Sequence, residues 1–340
     1  MRAEVDLVVR EQFVDTADGW SLHLRRTRSP RQFDPQTQPL LIVPGYGMNS
    51  FIFSYHPRGT SMERCLAEAG FEVWAVDLRG QGLSEPSGAH HPGPQSLLRY
   101  AASDLPAAIE RVMMGTETHA DGLTLIGCSL GGSIAYGYLA LRKDPRVTQL
   151  VTMGAPLRWL DVHPLLRVAF SSPTLAGMVR FNRTREMVRG LFPLLIRVPA
   201  LLSLYMNTQT IDLRRMSEMT RTVENPDPSI NRDIARWVKN VDLRLDGVDV
   251  TCALRELDLP LFVVLSNRDG IVPLATAKSV LDAWGGDDIE TLVVGDDDNW
   301  YAHANLFVAD DAPQLVFAPL INWLRQRSPQ DAPPPSRQIS

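Results

Sequence analysis

The stretch Leu123-Thr124-Leu125-Ile126-Gly127-Cys128-Ser129-Leu130-Gly131 decides the fold of this 340-residue chain. An apolar run ends at Ile126, and a helix-like pattern runs from Ser129 to about residue 141. An abrupt turn from a strand into a helix strains the backbone at the corner residue and projects its side chain above the sheet edge. The N-terminal amides of the helix then face whatever that side chain attacks. We therefore predict that Ser129 is a nucleophile.

The neighbouring cysteine is the competing nucleophile. The residues two positions before and two positions after the corner are expected to crowd each other, so glycine suits both places. Gly127 and Gly131 meet this requirement for Ser129, whereas a corner at Cys128 would put two large apolar residues there. We expect Cys128 to be a small hydrophobic side chain packed beneath the turn.

The composition is that of a globular enzyme. The chain is 44% hydrophobic and carries a formal charge of −5, which gives no reason to expect a nucleic acid as partner. Its three cysteines, at positions 65, 128 and 252, suit neither a disulfide framework nor a metal site. The first residues lack an apolar signal segment, and no apolar run reaches the roughly 20 residues that span a membrane. We expect a cytoplasmic protein that uses no metal or other cofactor.

Strand-like and helix-like segments alternate along most of the chain. Residues 7–13 and 20–24 predict an antiparallel hairpin. Later apolar runs predict buried strands, at 40–43, 71–76, 123–126, 149–153, 261–265 and 291–294. Helices are predicted near 61–69, 97–113, 129–141, 275–284 and 313–325. This order predicts an α/β protein with a mostly parallel central sheet flanked by helices on both faces.

The alternation breaks between residues 156 and 255, where helix formers, prolines and arginines dominate. We predict that this segment is a helical cap inserted into a body made of residues 1–155 and 256–327. Residues 328–340 are polar and rich in proline, which predicts a disordered tail.

A serine nucleophile needs a base and a group that orients the base, and in a parallel sheet both should follow later strands. Asp269 lies in a tight turn directly after the strand at 261–265. Among the seven histidines, His303 alone falls at a late strand-to-helix junction. We predict that His303 deprotonates Ser129 and that Asp269 orients His303, in the chain order typical of this topology.

Two backbone amides are predicted to bind the oxyanion. The Leu130 amide follows the nucleophile at the start of the helix. The second should come from the loop after the strand at 40–43, which reads Pro44-Gly45-Tyr46-Gly47. Its glycines let the backbone curl so that the Tyr46 amide faces the substrate.

These segments together resemble the α/β-hydrolase-fold family, in its lipase, esterase and thioesterase branch. The matching pieces follow the family's order between residues 40 and 325: Pro44-Gly45-Tyr46-Gly47, Asp77-Leu78-Arg79-Gly80-Gln81-Gly82-Leu83-Ser84, Gly127-Cys128-Ser129-Leu130-Gly131-Gly132, Asp269-Gly270-Ile271-Val272-Pro273 and His303. Residues 54–84 and 303–324 are also similar to acid lipases and, more distantly, to polyhydroxyalkanoate synthases. The resemblance implies the α/β-hydrolase fold, with an inserted cap, and a serine esterase activity.

Two departures from the family's pattern matter. Many members have histidine where this chain has Pro44, so one side chain that braces the loop is missing. The synthases have cysteine where this chain has Ser129, which argues against polymer synthesis. Asp77 and Arg79 are expected to brace the loop at the sheet edge rather than to act in catalysis.

The cap is unusually basic. Between residues 156 and 200 there are two acidic residues, and the seven arginines stand at 158, 167, 180, 183, 185, 189 and 197. This segment therefore carries +5 and the rest of the chain −10. Its arginines alternate with apolar runs, which suits a substrate with an apolar acyl part and an anionic part, or docking on an anionic lipid surface. The alternative is a cap whose apolar face only packs on the body.

The sequence thus predicts a serine hydrolase that cleaves a small-molecule or lipid-like carboxylic ester or thioester with an apolar acyl group. Two alternatives remain open, namely an acyltransferase with the same three residues and a non-catalytic binding protein of the same fold. The pair His90-His91 and the run Asp296-Asp297-Asp298 are expected to be surface loops rather than metal sites. The oligomeric state does not follow from the sequence.

Overall fold

The computed structural model describes residues 6–88, 92–178, 183–195 and 202–328. Its strands are β1 (Val8–Asp15), β2 (Trp20–Arg28), β3 (Leu40–Val43), β4 (Val73–Val76), β5 (Glu85–Pro86), β6 (Leu123–Cys128), β7 (Val147–Met153), β8 (Arg244–Leu245), β9 (Val248–Asp249), β10 (Leu261–Ser266) and β11 (Ile289–Val294). Nine of them form one sheet in the order β1-β2-β4-β3-β6-β7-β10-β11, with β5 paired to β2, while β8 and β9 form a separate hairpin.

The sheet is parallel from β4 to β11. β1, β2 and β5 are attached to it in antiparallel fashion, and β1 pairs β2 from Val8 opposite Arg28 to Asp15 opposite Ser21. The predicted hairpin and the mostly parallel sheet are therefore confirmed. Because parallel strands end at the same edge, the residues that follow β3, β6, β7, β10 and β11 are brought together there.

The central strands are apolar on both sides because both faces of the sheet are covered. In β10, Leu261, Val263 and Leu265 pack into one hydrophobic cluster, and Phe262 and Val264 pack into the other. The same alternation of faces is seen in β3 and β6. Two cores therefore hold the sheet rigid, and the loops at its carboxyl edge are carried by that rigid frame.

The described α-helices are Phe51–Ser54, Met62–Glu68, Leu97–Arg99, Leu105–Gly115, Leu130–Arg142, Pro164–Ala169, Pro173–Ala176, Thr184–Leu195, Met216–Met219, Pro228–Asn240, Val250–Ala253, Leu274–Ala277, Asn305–Val308 and Ala318–Gln326. π-Helical turns precede two of them, at Tyr100–Asp104 and Pro313–Phe317.

The helix predicted at 275–284 is shorter than expected. It covers Leu274–Ala277 and tightens into a 3₁₀ turn at Lys278–Val280. The hydroxyl of Ser279 donates to the carbonyl of Thr276 at 2.6 Å and accepts from the amide of Arg158 at 2.9 Å. Side-chain hydrogen bonds of this kind compete with the regular helical pattern.

The segment between residues 156 and 255 packs on the body at two separate places. Ile230, Ile234 and Trp237, on the helix Pro228–Asn240, belong to one hydrophobic cluster. Leu202 and Met206 belong to the other. Of the described residues between positions 164 and 191, few have buried side chains and many apolar ones are exposed.

Candidate active site

Ser129 stands at the corner between β6 and the helix Leu130–Arg142. Its backbone has φ 54° and ψ −124°, a combination that residues other than glycine rarely adopt. Its amide donates to the carbonyl of Met153 at 2.8 Å, which fixes the corner against the end of β7. The strained corner predicted from the sequence is therefore present, and Ser129 is 8% exposed.

The glycines around the corner are required by close contacts. A Cβ on Gly127 would lie 2.4 Å from the Cα of Gly132 and 2.8 Å from the carbonyl oxygen of Gly131. A Cβ on Gly131 would lie 2.3 Å from the carbonyl oxygen of Val43, at the end of β3. Gly127 and Gly131 were expected to crowd each other; Gly132 and the end of β3 also take part in these close contacts.

Cys128 is buried beneath the turn, 2% exposed, and its Sγ lies 4.0 Å from the Sδ of Met153. Burial raises the pKa of the Cys128 thiol well above its ordinary value. The thiolate, which is the reactive form of cysteine, is therefore strongly disfavoured. This environment fits the packing role predicted for Cys128.

Asp269 and His303 form a buried pair. Asp269 follows β10, and its Oδ1 accepts hydrogen bonds from the amides of Ile271 and Val272, both at 2.9 Å. Its Oδ2 lies 2.5 Å from Nδ1 of His303, which follows β11. These contacts leave Nε2 of His303 as the ring nitrogen that can exchange a proton with another group. Asp269 is 7% and His303 4% exposed.

The other buried histidines differ from His303 because both of their ring nitrogens are engaged. His23 lies between Asp77, whose Oδ2 is 2.8 Å from Nδ1, and the carboxylate of Glu11 at Nε2. His56 accepts from the amide of Arg58 at Nδ1 and contacts the carbonyl of Ala309 through Nε2. Of the histidines that the structure describes as buried, His303 alone has one ring nitrogen without such a contact.

Ser129 and His303 lie on either side of the end of β7. The Ser129 amide bonds to Met153, and a Cβ on the next residue, Gly154, would lie 3.2 Å from Cε1 of His303 and 3.5 Å from Oδ2 of Asp269. Within the described part of the chain, Ser129 Oγ forms no hydrogen bond with His303. Such hydrogen bonds are often long without substrate and tighten when substrate binds.

The loop after β3 lies directly against Ser129. A Cβ on Gly45 would be 2.9 Å from Cβ and 3.4 Å from Oγ of Ser129. The next residue is Tyr46, and neither its amide nor that of Leu130 donates a hydrogen bond to any residue that the structure describes. Two backbone donors next to the serine are thus available to a ligand.

Gln81 is a bracing residue that the sequence argument missed. Its side chain is buried; Nε2 donates to the carbonyl of Gly45 at 3.4 Å, and Oε1 accepts from the amide of Leu78 at 3.2 Å. It therefore supports the loop that contains Pro44 and Gly45. Its position in the matched stretch 77–84 was the available signal.

Asp77 and Arg79 brace the same edge, as predicted. Arg79 is fully buried, and its guanidinium binds the carboxylates of Asp104 and Asp18 at 2.6 to 2.9 Å. Asp77 accepts from the amide of Ser50 at 2.7 Å and contacts His23. These bonds use the charged groups for structure, so neither residue is left to act on a substrate.

A mainly apolar cavity of about 330 Å³ lies beside the candidate catalytic residues. Its walls include Tyr46, Leu202, Tyr205, Met206, Met219 and Val223. Tyr46 also belongs to the loop next to Ser129, and the ring centroid of Tyr205 is 6.2 Å from that of His303. Burial, followed by the charge of Asp269, raises the pKa of Tyr205 to about 12, so its hydroxyl stays neutral.

The described arginines between residues 156 and 200 divide into two groups. Arg158 is paired with Asp242 and Arg185 with Glu224. Arg167, Arg183 and Arg189 are exposed and, within the described ranges, pair with no carboxylate. The two remaining arginines, at 180 and 197, lie outside the described residues.

The described ranges contain no group of three or more His, Cys, Asp or Glu side chains able to hold a metal ion. His90-His91 and the tail from residue 329 onward lie outside these ranges. None of the described helices combines the length and the apolar character needed to cross a membrane.

Comparison with known proteins identifies the class. A model of the alpha/beta hydrolase fold family matches residues 38–299. The chain therefore belongs to the alpha/beta hydrolase fold family, as its resemblance to that family implied. Solved structures that resemble it include a thermophilic esterase from Thermogutta terrifontis, with a TM-score of 0.61, 18% identity and coverage of 94% of this chain and 100% of that one. Another is an esterase from Exiguobacterium antarcticum, with a TM-score of 0.60, 15% identity and coverage of 93% and 100%.

Curated relatives narrow the class further. The chain is 25% identical over 256 residues to a pimeloyl-[acyl-carrier protein] methyl ester esterase of Vibrio atlanticus, covering 72% of this chain and 81% of the relative. It is 21% identical over 366 residues to triacylglycerol lipase 2 of Arabidopsis thaliana, covering 94% and 85%. The protein is thus a carboxylic ester hydrolase of the esterase and lipase type.

Proposed function

We propose that this protein cleaves a carboxylic ester or thioester with an apolar acyl group, using Ser129 as the nucleophile. The observation that carries the proposal is the convergence at one sheet edge of a strained serine, a buried His–Asp pair and two unoccupied backbone amides. These are the elements that acyl transfer through a covalent intermediate requires.

In the proposed mechanism, Nε2 of His303 removes the proton of Ser129 Oγ as that oxygen attacks the carbonyl carbon. Asp269, held by two amides, keeps Nδ1 of His303 protonated and stabilises the imidazolium. The amides of Tyr46 and Leu130 hold the oxyanion. The imidazolium then gives its proton to the leaving group. Water, deprotonated by His303, attacks the acyl-enzyme and releases the acid.

The cavity beside the site supports an apolar acyl group. Its volume is within the range of small-molecule pockets, and Leu202, Met206, Met219 and Val223 are apolar. Because Tyr46 and Tyr205 reach both this cavity and the candidate catalytic groups, an acyl chain attached to the reacting carbonyl can extend into it. The methyl ester that one relative's name specifies also joins an acyl chain to a small alcohol.

We expect kcat/KM for p-nitrophenyl esters to rise from acetyl toward hexanoyl or octanoyl and then to level off. Each buried methylene contributes up to about 0.8 kcal/mol, or roughly fourfold. Val223→Phe should fill part of the cavity and shift the preference to shorter chains. Val9→Phe, at an exposed position on β1, is the matched control and should leave the profile unchanged. A flat profile in the unmutated protein would contradict the acyl cavity.

We further propose that the outer cap surface docks on an anionic lipid surface, from which a lipid-like ester would be drawn. This surface consists of the exposed side chains of Leu165, Val168, Leu175, Met178, Met187 and Leu191 together with Arg167, Arg183 and Arg189. Seven of the thirteen large hydrophobic side chains that the described residues expose lie between positions 160 and 191. Exposed apolar side chains that alternate along the chain with unpaired basic ones are typical of contact with anionic lipid.

The Ser129→Ala protein should co-sediment with vesicles of phosphatidylcholine mixed with phosphatidylglycerol, but not with phosphatidylcholine alone. Added salt should release it, because screening weakens the electrostatic part of the binding. Val168→Ser with Leu175→Ser should reduce binding, whereas the control pair Met114→Ser with Leu315→Ser, exposed elsewhere, should not. If the protein did not bind the vesicles, or if both pairs of substitutions reduced vesicle binding equally, the proposed lipid contact would be wrong.

A further inference from the structure

The loop that carries His303 is held from two sides, by the body and by the cap. On the body side, Asn267 accepts from the amide of Tyr301 at 2.8 Å and donates to the carbonyl of Asp296 at 2.8 Å. On the cap side, the amide of Ala304 donates to the carbonyl of Tyr205 at 2.8 Å, and the side chain of Asn207 donates to the carbonyl of Trp300 at 2.9 Å. The candidate base therefore sits between two sets of bonds.

Asn305 is the centre of the cap-side set. Its Oδ1 accepts from the amides of Asn207, at 2.7 Å, and of Ala302, at 3.2 Å. Its Nδ2 donates to the carbonyl of Asn207 at 3.1 Å and to Oγ1 of Thr210 at 2.7 Å. The side chain is fully buried and uses its two donor hydrogens and both oxygen lone pairs, which is the full capacity of an amide. Asn305 thus joins the residue before His303 to the cap.

The same cap segment forms a wall of the apolar cavity. Leu202, Tyr205 and Met206 line the cavity, and Asn207 is the next residue along the chain. A Cβ on Gly270, which follows Asp269, would lie 2.7 Å from Leu204. The cap segment therefore also packs against the turn that carries Asp269. An acyl chain in the cavity would touch the piece of chain that positions the base.

We propose that Asn305 is a positioning residue that couples occupation of the acyl cavity to the placement of His303. The inference rests on the proposed function. An acyl chain that fills the cavity orders residues 202–207. Because Asn305 binds both Asn207 and Ala302, it then also fixes the loop that carries His303. Binding energy from a remote part of the substrate then appears in kcat as well as in KM. Short esters, which leave the wall uncontacted, react with a less well placed base.

The test compares kcat and KM for p-nitrophenyl acetate and p-nitrophenyl hexanoate. In the unmutated protein, kcat should be higher for the hexanoate. Asn305→Asp, an isosteric change that removes both amide hydrogens, should lower kcat for the hexanoate by about tenfold or more, since small misplacements of catalytic groups have effects of this size. Its KM should change by less than about twofold, and the ratio of the two kcat values should fall toward one.

Thr210→Val removes one partner of Asn305 without adding a charge, and it should give the same change in the kcat ratio to a smaller extent. It keeps the test valid if Asn305→Asp fails to fold. Asn267→Ala is the matched control, because it loosens the same loop from the body side. It should lower kcat for both esters by a similar factor and leave their ratio unchanged.

The inference is overturned if kcat of the unmutated protein does not depend on chain length. It is also overturned if the Asn305 and Thr210 variants, folded as judged by circular dichroism, leave the kcat ratio at the value of the unmutated protein. Failure of the proposed function looks different, because the unmutated protein would then hydrolyse neither ester and Ser129 would not react with a fluorophosphonate.

Discussion

Replacing Ser129 with alanine is expected to lower kcat for ester hydrolysis by roughly 10⁴-fold or more, because the proposed acyl-enzyme can no longer form. The fold should persist, since the removed hydroxyl makes no hydrogen bond with a described residue and the strained corner is retained. Steady-state kinetics with a p-nitrophenyl ester, together with a thermal unfolding curve, measures both effects.

Cys128→Ala is the matched control for this prediction. Its thiol is buried against Met153 and its pKa is raised, so the variant should keep most of the activity and lose only some stability. If Cys128→Ala were as inactive as Ser129→Ala while still folded, the assignment of the corner serine would be wrong.

Replacing His303 with alanine is expected to have an effect of similar size, because every proton transfer in the proposed mechanism passes through its Nε2. Asp269→Ala should be less damaging, since the imidazole remains and loses only its orienting carboxylate. Both variants should react with a fluorophosphonate far more slowly than the unmutated protein. Labelling rates measured by intact-protein mass spectrometry check this order.

His23→Ala separates catalytic loss from structural loss in this series. His23 also contacts carboxylates, but both of its ring nitrogens are engaged, by Asp77 and by Glu11. Its loss should lower stability and leave the labelling rate of the folded protein nearly unchanged. If His303→Ala labelled as fast as His23→Ala, His303 would not be the base.

The features that were predicted correctly from the sequence depend on residues that are close together in the chain. The corner at Ser129 follows from an apolar strand, small neighbours and a helix start, all within about fifteen residues. The positions of Asp269 and His303 follow from the rule that functional groups lie past the ends of parallel strands. The structure brings these two side chains within 2.5 Å of each other.

What the sequence did not predict depends on contacts between distant segments. Asn207 and Asn305 are 98 positions apart, and neither follows an apolar pattern that would mark it. The need for glycine at position 131 comes in part from the carbonyl of Val43 on another strand. A count of charges treated the cap as uniformly basic, yet Arg158 and Arg185 are paired with carboxylates far along the chain.

The helix at Leu274–Ala277 ends early because of a contact with a distant segment as well. Its sequence continues in a helical pattern, but the hydroxyl of Ser279 bonds to Thr276 and to the backbone of Arg158, more than a hundred residues away. Periodicity reports which side of a segment is buried and contains no information about such a partner.

The most direct test of the central claim is to find the residue that a fluorophosphonate modifies. The protein is treated with the reagent, digested, and the adduct is located by tandem mass spectrometry. We predict a single adduct on Ser129, absent from Ser129→Ala, strongly slowed in His303→Ala and prevented by an ester substrate that competes for the site. An adduct on Cys128 or elsewhere, or undiminished labelling of Ser129→Ala, would contradict the account.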